Sequence, residues 1–355
     1  MHTDIKAYLE MKKPIIDAAI EKYLPRKINQ KHLEEIFGKP SYIYDIPTIQ
    51  KSLIDPVWDF LDRGGKRWRP ALFLLISEIF GAKEEHVLDF SILPELAHNG
   101  SIIIDDIEDS GELRRGKPCI HITYGIDIAL NAGNFLYFLP LAVFRRAKIH
   151  FNNDILTRAY EVYGQEMTNI HLGQTMDIYW HKGHADSITE DQYLQMCAYK
   201  TGCLTRMAAR LAAVLSDADK DQVERLGRFA EMIGIAFQIQ DDILSASGSE
   251  FQDKKGYGDD ITEGKRTLMV IHAIKHADEK ERKRLLEILD MHTRDKRLIK
   301  EAIDILQRTG SVDYAMKKAR ELVENAWKEA DAALPESDAK QKLKGLADFL
   351  IERKI

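Results

Sequence analysis

Five aspartates in two clusters, Asp105, Asp106 and Asp109, then Asp241 and Asp242, are the residues whose type and spacing can do chemistry. In Ser-Ile-Ile-Ile-Asp-Asp-Ile-Glu-Asp, Ser101 to Asp109, the residues Asp105 and Asp109 stand four apart, on one helical face and one turn from each other. Carboxylates so placed repel each other. An acidic run is ordinarily a solvated surface, but Ile102, Ile103 and Ile104 lead into this one and Ile107 lies within it. That pattern predicts a helix buried nearly all round, whose carboxylates need a partner. Phe237 to Leu244, Phe-Gln-Ile-Gln-Asp-Asp-Ile-Leu, again runs an apolar helix into an aspartate pair. Magnesium prefers carboxylate and phosphate oxygens and is typically held by one or two carboxylates plus substrate phosphates. Two such helices facing each other would make a metal-dependent diphosphate clamp.

A metal-bound diphosphate still carries negative charge, so its site needs lysine and arginine. Gly64-Gly65-Lys66-Arg67-Trp68-Arg69-Pro70 supplies three cations within four residues, after glycines that permit a tight backbone approach. Arg114-Arg115-Gly116 follows the first aspartate cluster by a short loop, and Lys255 and Lys265 follow the second. Other patterns fail on inspection. Gly258 to Lys265 has five residues between its glycines and Arg266 where a P-loop needs Ser or Thr. Asn99-Gly100-Ser101 matches a glycosylation sequon inside an apolar helix, and His181 with His184 reads as a polar loop. No Ser/His/Asp or Cys/His constellation is recognisable.

The chain of 355 residues, 45% hydrophobic and 30% charged, is long enough to bury a large core. A net charge of -6 excludes nucleic-acid binding by bulk positive charge, so any phosphate site must be local. Cys119, Cys197 and Cys203 form no CxxC pair and no even set, which points to a reducing, cytoplasmic setting. Charges interrupt every apolar stretch of the first 24 residues, unlike a secretory signal, and no membrane span is expected.

The elements that position these residues are helical. All ten prolines lie at or before Pro140 or at Pro335, leaving 141–334 free of helix breakers. Between Ser311 and Leu334, Val312, Ala315, Met316, Ala319, Leu322, Val323, Ala326 and Ala330 follow one buried face, ended by Pro335. Ser187 and Glu190 form a capping-box pattern before Tyr193, Leu194 and Met196. No alternating strand pattern or linker interrupts the helical periodicity after about Ala71. The expectation is an all-α chain with one domain over 1–355, in which Pro25, Pro40, Pro47 and Pro56 divide 1–60 into short helices and turns wrapping the main body.

From Gly64 onward the chain resembles the trans-isoprenyl diphosphate synthases, the family of farnesyl and geranylgeranyl diphosphate synthases. The ordered motifs are GGKRWRP at Gly64, HNGSIIIDDIED at His98, RRGKP at Arg114, GQTMD at Gly173, KTG at Lys200, FQIQDD at Phe237 and GDDITEGKRT at Gly258. The resemblance implies a helical bundle with a central cavity, a likeness to the family's homodimer, and elongation of an allylic diphosphate by isopentenyl diphosphate. It implies about three magnesium ions on Asp105, Asp106, Asp109, Asp241 and Asp242, with Asp177 in support. Arg114, Lys200, Lys255 and Lys265 match contacts to the allylic diphosphate, and Lys66, Arg69, His98 and Arg115 the isopentenyl diphosphate pocket. Thr201 and Gln238 match residues whose dipoles face the developing cation.

Two positions depart from the family pattern: Ser245 stands where the second aspartate motif usually has its last carboxylate, and Lys254 precedes Lys255 in place of glycine. Small residues at Ala97 and Gly100, one and two turns before the first motif, imply that the hydrocarbon channel stays open past the farnesyl length. Leu93, Leu96, Tyr137 and Phe138 are candidates for a deeper floor. Geranylgeranyl diphosphate is therefore the expected product, with farnesyl diphosphate or a longer chain as alternatives, and a bulky aromatic at Gly100 is expected to shorten it. Two rival readings stay open, a non-catalytic or regulatory subunit of a heteromeric prenyl synthase, favoured by Ser245, and a class I terpene cyclase, which needs no isopentenyl pocket.

Overall fold

A computed structural model describes residues 5–184, 187–247 and 258–351. The elements are helices, as the periodicity predicts, and among the described residues the only strands are two of two residues each. Two compact units emerge, one of Met1–Gln165, Met207–Leu226 and Leu334–Leu346, the other of Glu166–Arg206, Gly227–Ala333 and Ala347–Ile355.

The first unit begins with α1 (Ile5–Tyr23), α2 (Gln30–Phe37), α3 (Ile46–Ile49) and α4 (Asp55–Asp62). Asn29 caps α2 by accepting from the His32 amide, and Pro47 and Pro56 sit at the first turns of α3 and α4, where a missing N–H costs nothing. Not every proline behaves as a boundary. Pro14 lies inside α1 and Pro94 inside α6 (Glu84–Glu108), so α1 is longer than the short segments expected of the first sixty residues. Neighbouring contacts hold both helices: α1 buries Ile5, Tyr8, Leu9, Ile16, Ala19, Ile20 and Tyr23, and packs on α6 and on α5 (Trp68–Ile79).

Residues Leu113–Arg114 (β1) and Lys117–Pro118 (β2) pair antiparallel, and Arg115 and Gly116 between them have φ of 54° and 76°. Two positive φ values make the left-handed two-residue turn whose twist suits a hairpin. After α7 (Ile120–Tyr124), α8 (Ile126–Phe138) crosses α6 at a pair of glycines. A Cβ on Gly100 would stand 2.8 Å from the Gly133 carbonyl oxygen, and one on Gly133 would stand 2.7 Å from Ile104 Cδ1. Ile126–Arg146 is long and apolar enough to cross a membrane by length and composition alone, a weak signal that core helices share. It breaks at 139–140, before α9 (Leu141–Arg146), and half of the apolar window is buried in the protein, as in a core helix.

The chain continues through α10 (Asn153–Tyr179), α11 (Glu190–Cys197), α12 (Cys203–Leu215), α13 (Lys220–Ser247), α14 (Asp259–Thr262), α15 (Leu268–His276), α16 (Glu279–Asp290), α17 (Lys296–Arg308), α18 (Ser311–Asp331) and α19 (Asp338–Ile351). The capping box of α11 is Thr189 with Gln192, two residues beyond the Ser187–Glu190 pair predicted from sequence. Both pairs fit the pattern; the helix starts where both reciprocal hydrogen bonds form. In α18 the predicted face is buried at Ala315, Ala319, Val323 and Ala330, and the helix ends at Asp331, four residues before Pro335.

Candidate active site

In the first unit the acidic cluster ends α6. Asp105 and Asp109 are half-buried, Asp106 is buried, and Ile102, Ile104 and Ile107 are half-buried around a fully buried Ile103, so the helix is less enclosed than its apolar run predicts. Asp106 Oδ1 accepts from Arg114 Nε at 2.7 Å and lies 2.5 Å from its Nη2. Its other oxygen, Oδ2, is buried with no hydrogen-bond partner. Burial, opposed by Arg114, raises the Asp106 carboxyl above its usual range, and burial together with Asp106 pushes the neighbouring Cys119 thiol up to about 12. A buried oxygen without a hydrogen-bond partner, close in sequence to two half-buried carboxylates, is oxygen chemistry that suits a hard divalent cation, although among the described residues no three such groups converge into a ready-made metal cluster.

The hairpin gives adjacent arginines different partners. Arg114, on β1, turns to Asp106; Arg115, in the turn, donates from Nη1 to the Gly64 carbonyl at 2.7 Å and from Nη2 to Asn99 Oδ1 at 3.4 Å. Arg69 is buried with its guanidinium 4.4 Å from the centre of the Trp68 ring, and Lys66 is exposed. His98 lies among these cations. Burial first, then Arg69, Arg115, Arg114 and Arg67, hold its imidazole well below the usual pKa, so it is neutral near pH 7 and donates through one ring nitrogen. A concentration of positive charge around a neutral donor is suited to an anion with many oxygens.

In the second unit, Lys200 and Thr201 lie on a single π-helical turn, Ala198–Gly202. Such turns recur at functional sites. Glycines wedge this one on two sides: a Cβ on Gly173 of α10 would stand 2.2 Å from the Lys200 amide nitrogen, and one on Gly234 of α13 would stand 2.6 Å from Gly202 Cα. Lys200 Nζ reaches Asp177 Oδ2 at 2.5 Å. Thr201 Oγ1 donates to Gln238 Oε1 at 2.8 Å, Gln238 Nε2 donates to Asp242 Oδ1 at 2.8 Å, and Tyr193 Oη donates to Asp242 Oδ2 at 2.7 Å. KTG, GQTMD and FQIQDD therefore meet in one hydrogen-bonded group, with Asp241 half-buried beside it.

Burial first, then Asp260, pushes the Asp242 carboxyl up to about 8. The folded value lies above the unfolded value of about 4, so this group stabilises the metal-free fold fully at low pH and loses that contribution as pH rises through 8. Unfolding temperatures of the metal-free protein and of Asp242→Asn, measured between pH 5 and 9, are expected to lie closest near pH 5 and to diverge as pH rises to 8, the parent falling while the non-titrating variant stays flatter. Parallel curves would remove the assignment.

Ser245 Oγ accepts the Asp260 amide at 3.4 Å, a backbone contact at the start of α14 in place of a carboxylate. Lys265 pairs with Glu263 and lies 3.9 Å from Asp260 Oδ1. Lys255 and its neighbour Lys254 lie outside the described residues.

Gly100, expected from sequence to set chain length together with Ala97, lies against α8. Besides the Gly133 oxygen, its Cβ would meet Leu136 Cβ at 3.0 Å and Tyr137 Cδ1 at 3.3 Å, so a side chain there is aimed into α8. Phe138 is 67% exposed and floors no internal channel, whereas Leu93, Leu96, Ala97 and Tyr137 are buried. His181 is buried rather than part of a polar loop, and Asn99, fully buried, donates to Glu95. Arg67, Glu95 and Tyr193 were not singled out from sequence. Arg67 had a signal in GGKRWRP; the partners of the other two come from distant segments.

A family model described as Polyprenyl synthetase matches residues 50–306. A short chain isoprenyl diphosphate synthase from Methanothermobacter thermautotrophicus is 36% identical over 82% of this chain and 87% of its own length. A geranylgeranyl pyrophosphate synthase from Dictyostelium discoideum is 33% identical, covering 82% and 92%. Among solved structures, geranylgeranyl pyrophosphate synthetase from Pyrococcus horikoshii superposes with a TM-score of 0.85 at 30% identity, covering 99% of both chains.

Proposed function

The chain belongs to the polyprenyl synthetase family and is a chain-elongating prenyltransferase, and from that premise we propose that it condenses isopentenyl diphosphate with an allylic diphosphate, releasing diphosphate, with geranylgeranyl diphosphate as main product. The observation that carries this reading is the pairing, on α6, of a carboxylate face at Asp105 and Asp109 with the cation cluster around His98. The first suits metal-borne phosphate, the second a diphosphate held by cations alone. That combination disfavours a terpene cyclase.

Asp105, Asp106 and Asp109 in one unit, and Asp241 and Asp242 in the other, are the proposed ligands of about three magnesium ions. Bound magnesium would supply Lewis-acid stabilisation of the departing diphosphate. Arg114, Lys200, Lys265 and Lys255 are proposed to neutralise the same leaving group as the allylic C–O bond breaks. Asp177 steers the Lys200 ammonium. Thr201 commits its proton to Gln238, which leaves its oxygen lone pairs to face the allylic cation. Lys66, Arg69, His98 and Arg115 are assigned to isopentenyl diphosphate, whose double bond attacks that cation; the proton then lost goes to the released diphosphate. No side chain need act as a nucleophile.

The product assignment draws support from relatives named for geranylgeranyl diphosphate and from the small, buried Ala97 as the chain-length residue. Exposed Ile126, Leu130 and Phe138 recur along one side of α8, which supports a homodimer. Buried Cys119, Cys197 and Cys203, none of them in a disulfide among the described residues, support a cytoplasmic location. Purified protein given magnesium, radiolabelled isopentenyl diphosphate and an allylic primer is expected to form a labelled twenty-carbon diphosphate, to stop when the metal is chelated, and to run as a dimer in light scattering. Turnover without isopentenyl diphosphate would favour a cyclase. No turnover by the chain alone would favour a partner-dependent subunit, the reading to which Ser245 lends weight.

A further inference from the structure

Arg67 stands between Lys66 and Arg69 yet faces the other way. It is 4% exposed and has a φ of 51°, a left-handed conformation that a non-glycine residue adopts only when its surroundings hold it there. Its Nε donates to Asp17 Oδ1 of α1 at 2.7 Å, Nη1 to Glu95 Oε1 of α6 at 2.9 Å, and Nη2 to the Leu61 carbonyl at 3.3 Å. The guanidinium folds back under its own loop, where a Cβ on Gly65 would stand 2.9 Å from Nη1. Glu95 Oε1 also accepts from Asn99 Nδ2 at 3.1 Å, Asn99 Oδ1 accepts from Arg115, and Arg115 donates to the Gly64 carbonyl. These bonds close a ring through Gly64, Arg67, Glu95, Asn99 and Arg115. Asp17 is the carboxylate that ties the ring to the N-terminal helix.

We propose that Asp17 and Glu95, acting through Arg67, are positioning residues for isopentenyl diphosphate: they fix the loop that presents Lys66 and Arg69 and set the aim of Arg115. The proposal deepens the function given above and rests on it. Arg67 turns its guanidinium to two carboxylates, Asp17 and Glu95, so little of its charge is left for the substrate. Its effect is geometric, since a buried arginine satisfied on three sides holds the backbone that bears its neighbours.

Steady-state kinetics of Asp17→Asn separate positioning from general bracing. The KM for isopentenyl diphosphate is expected to rise about fivefold or more, while kcat and the KM for the allylic diphosphate stay within about twofold, because only the site for the second substrate loses its support. Asp17→Glu should restore most of the loss. Arg67→Lys keeps the charge but cannot bridge both carboxylates, so it should shift the same constant in the same direction. A lowered Tm with an unchanged isopentenyl KM, or equal rises in both KM values, would overturn the proposal while leaving the enzyme assignment intact. A parent protein that turns over no isopentenyl diphosphate removes both.

Discussion

Asp105→Ala is expected to lower kcat by about a thousandfold or more, with an unfolding temperature close to the parent's. The two parts of that expectation come from different facts. Asp105 is half-buried on the face it shares with Asp109, so truncating it disturbs less of the interior than truncating a fully buried carboxylate. Asp106, one residue on, is enclosed and ion-paired with Arg114, and removing one partner of such a pair typically costs about 3–5 kcal/mol. An alanine at Asp105 therefore tests ligation with little disturbance of the fold. On the proposed assignment, with Ser245 in place of the second cluster's last carboxylate, more of the metal binding should fall on Asp105 and Asp109. Single-turnover assays with magnesium and both substrates give the answer; activity within tenfold of the parent would mean that the metal ligands are wrongly assigned.

Gly100→Phe is expected to destabilise the protein, not to shorten its product. The phenylalanine would have to enter space held by the Gly133 carbonyl and the side chains of Leu136 and Tyr137. Backbone cannot yield as a side-chain tip can, so the overpacking should cost about 3 kcal/mol or more and lower Tm by about 5 °C or more. Protein that still folds should give the parent's product spectrum. A stable variant that makes shorter products would restore Gly100 to the channel wall.

These two residues show where the sequence is and is not legible. Helical periodicity and proline spacing were sufficient for an all-α chain, and the charged motifs offered Asp105, Lys200 and Asp242 as candidates, because the proposed chemistry requires those side-chain types. Periodicity tells which face of a helix is apolar, but not what that face meets. Gly100 reads as an opening because it is small; only the fold shows that α8 approaches it. Arg114 and Arg115 are indistinguishable in RRGKP until a left-handed turn sends one to Asp106 and the other to Gly64. Tyr193 lies 49 residues before the carboxylate it binds, and no local pattern joins them.

The two glycines against the Lys200–Thr201 turn extend this point to evolution. Gly173 and Gly234 carry no functional atom, yet the backbone of that turn approaches each too closely for any Cβ. Drift at either position is expected to be barred as firmly as at a metal ligand, with selection on the reaction acting there through distance alone. A map of mutational tolerance would mark Gly173 and Gly234 in the same colour as Asp242, and intolerance by itself would not tell the residues that perform the chemistry from those that make room for it.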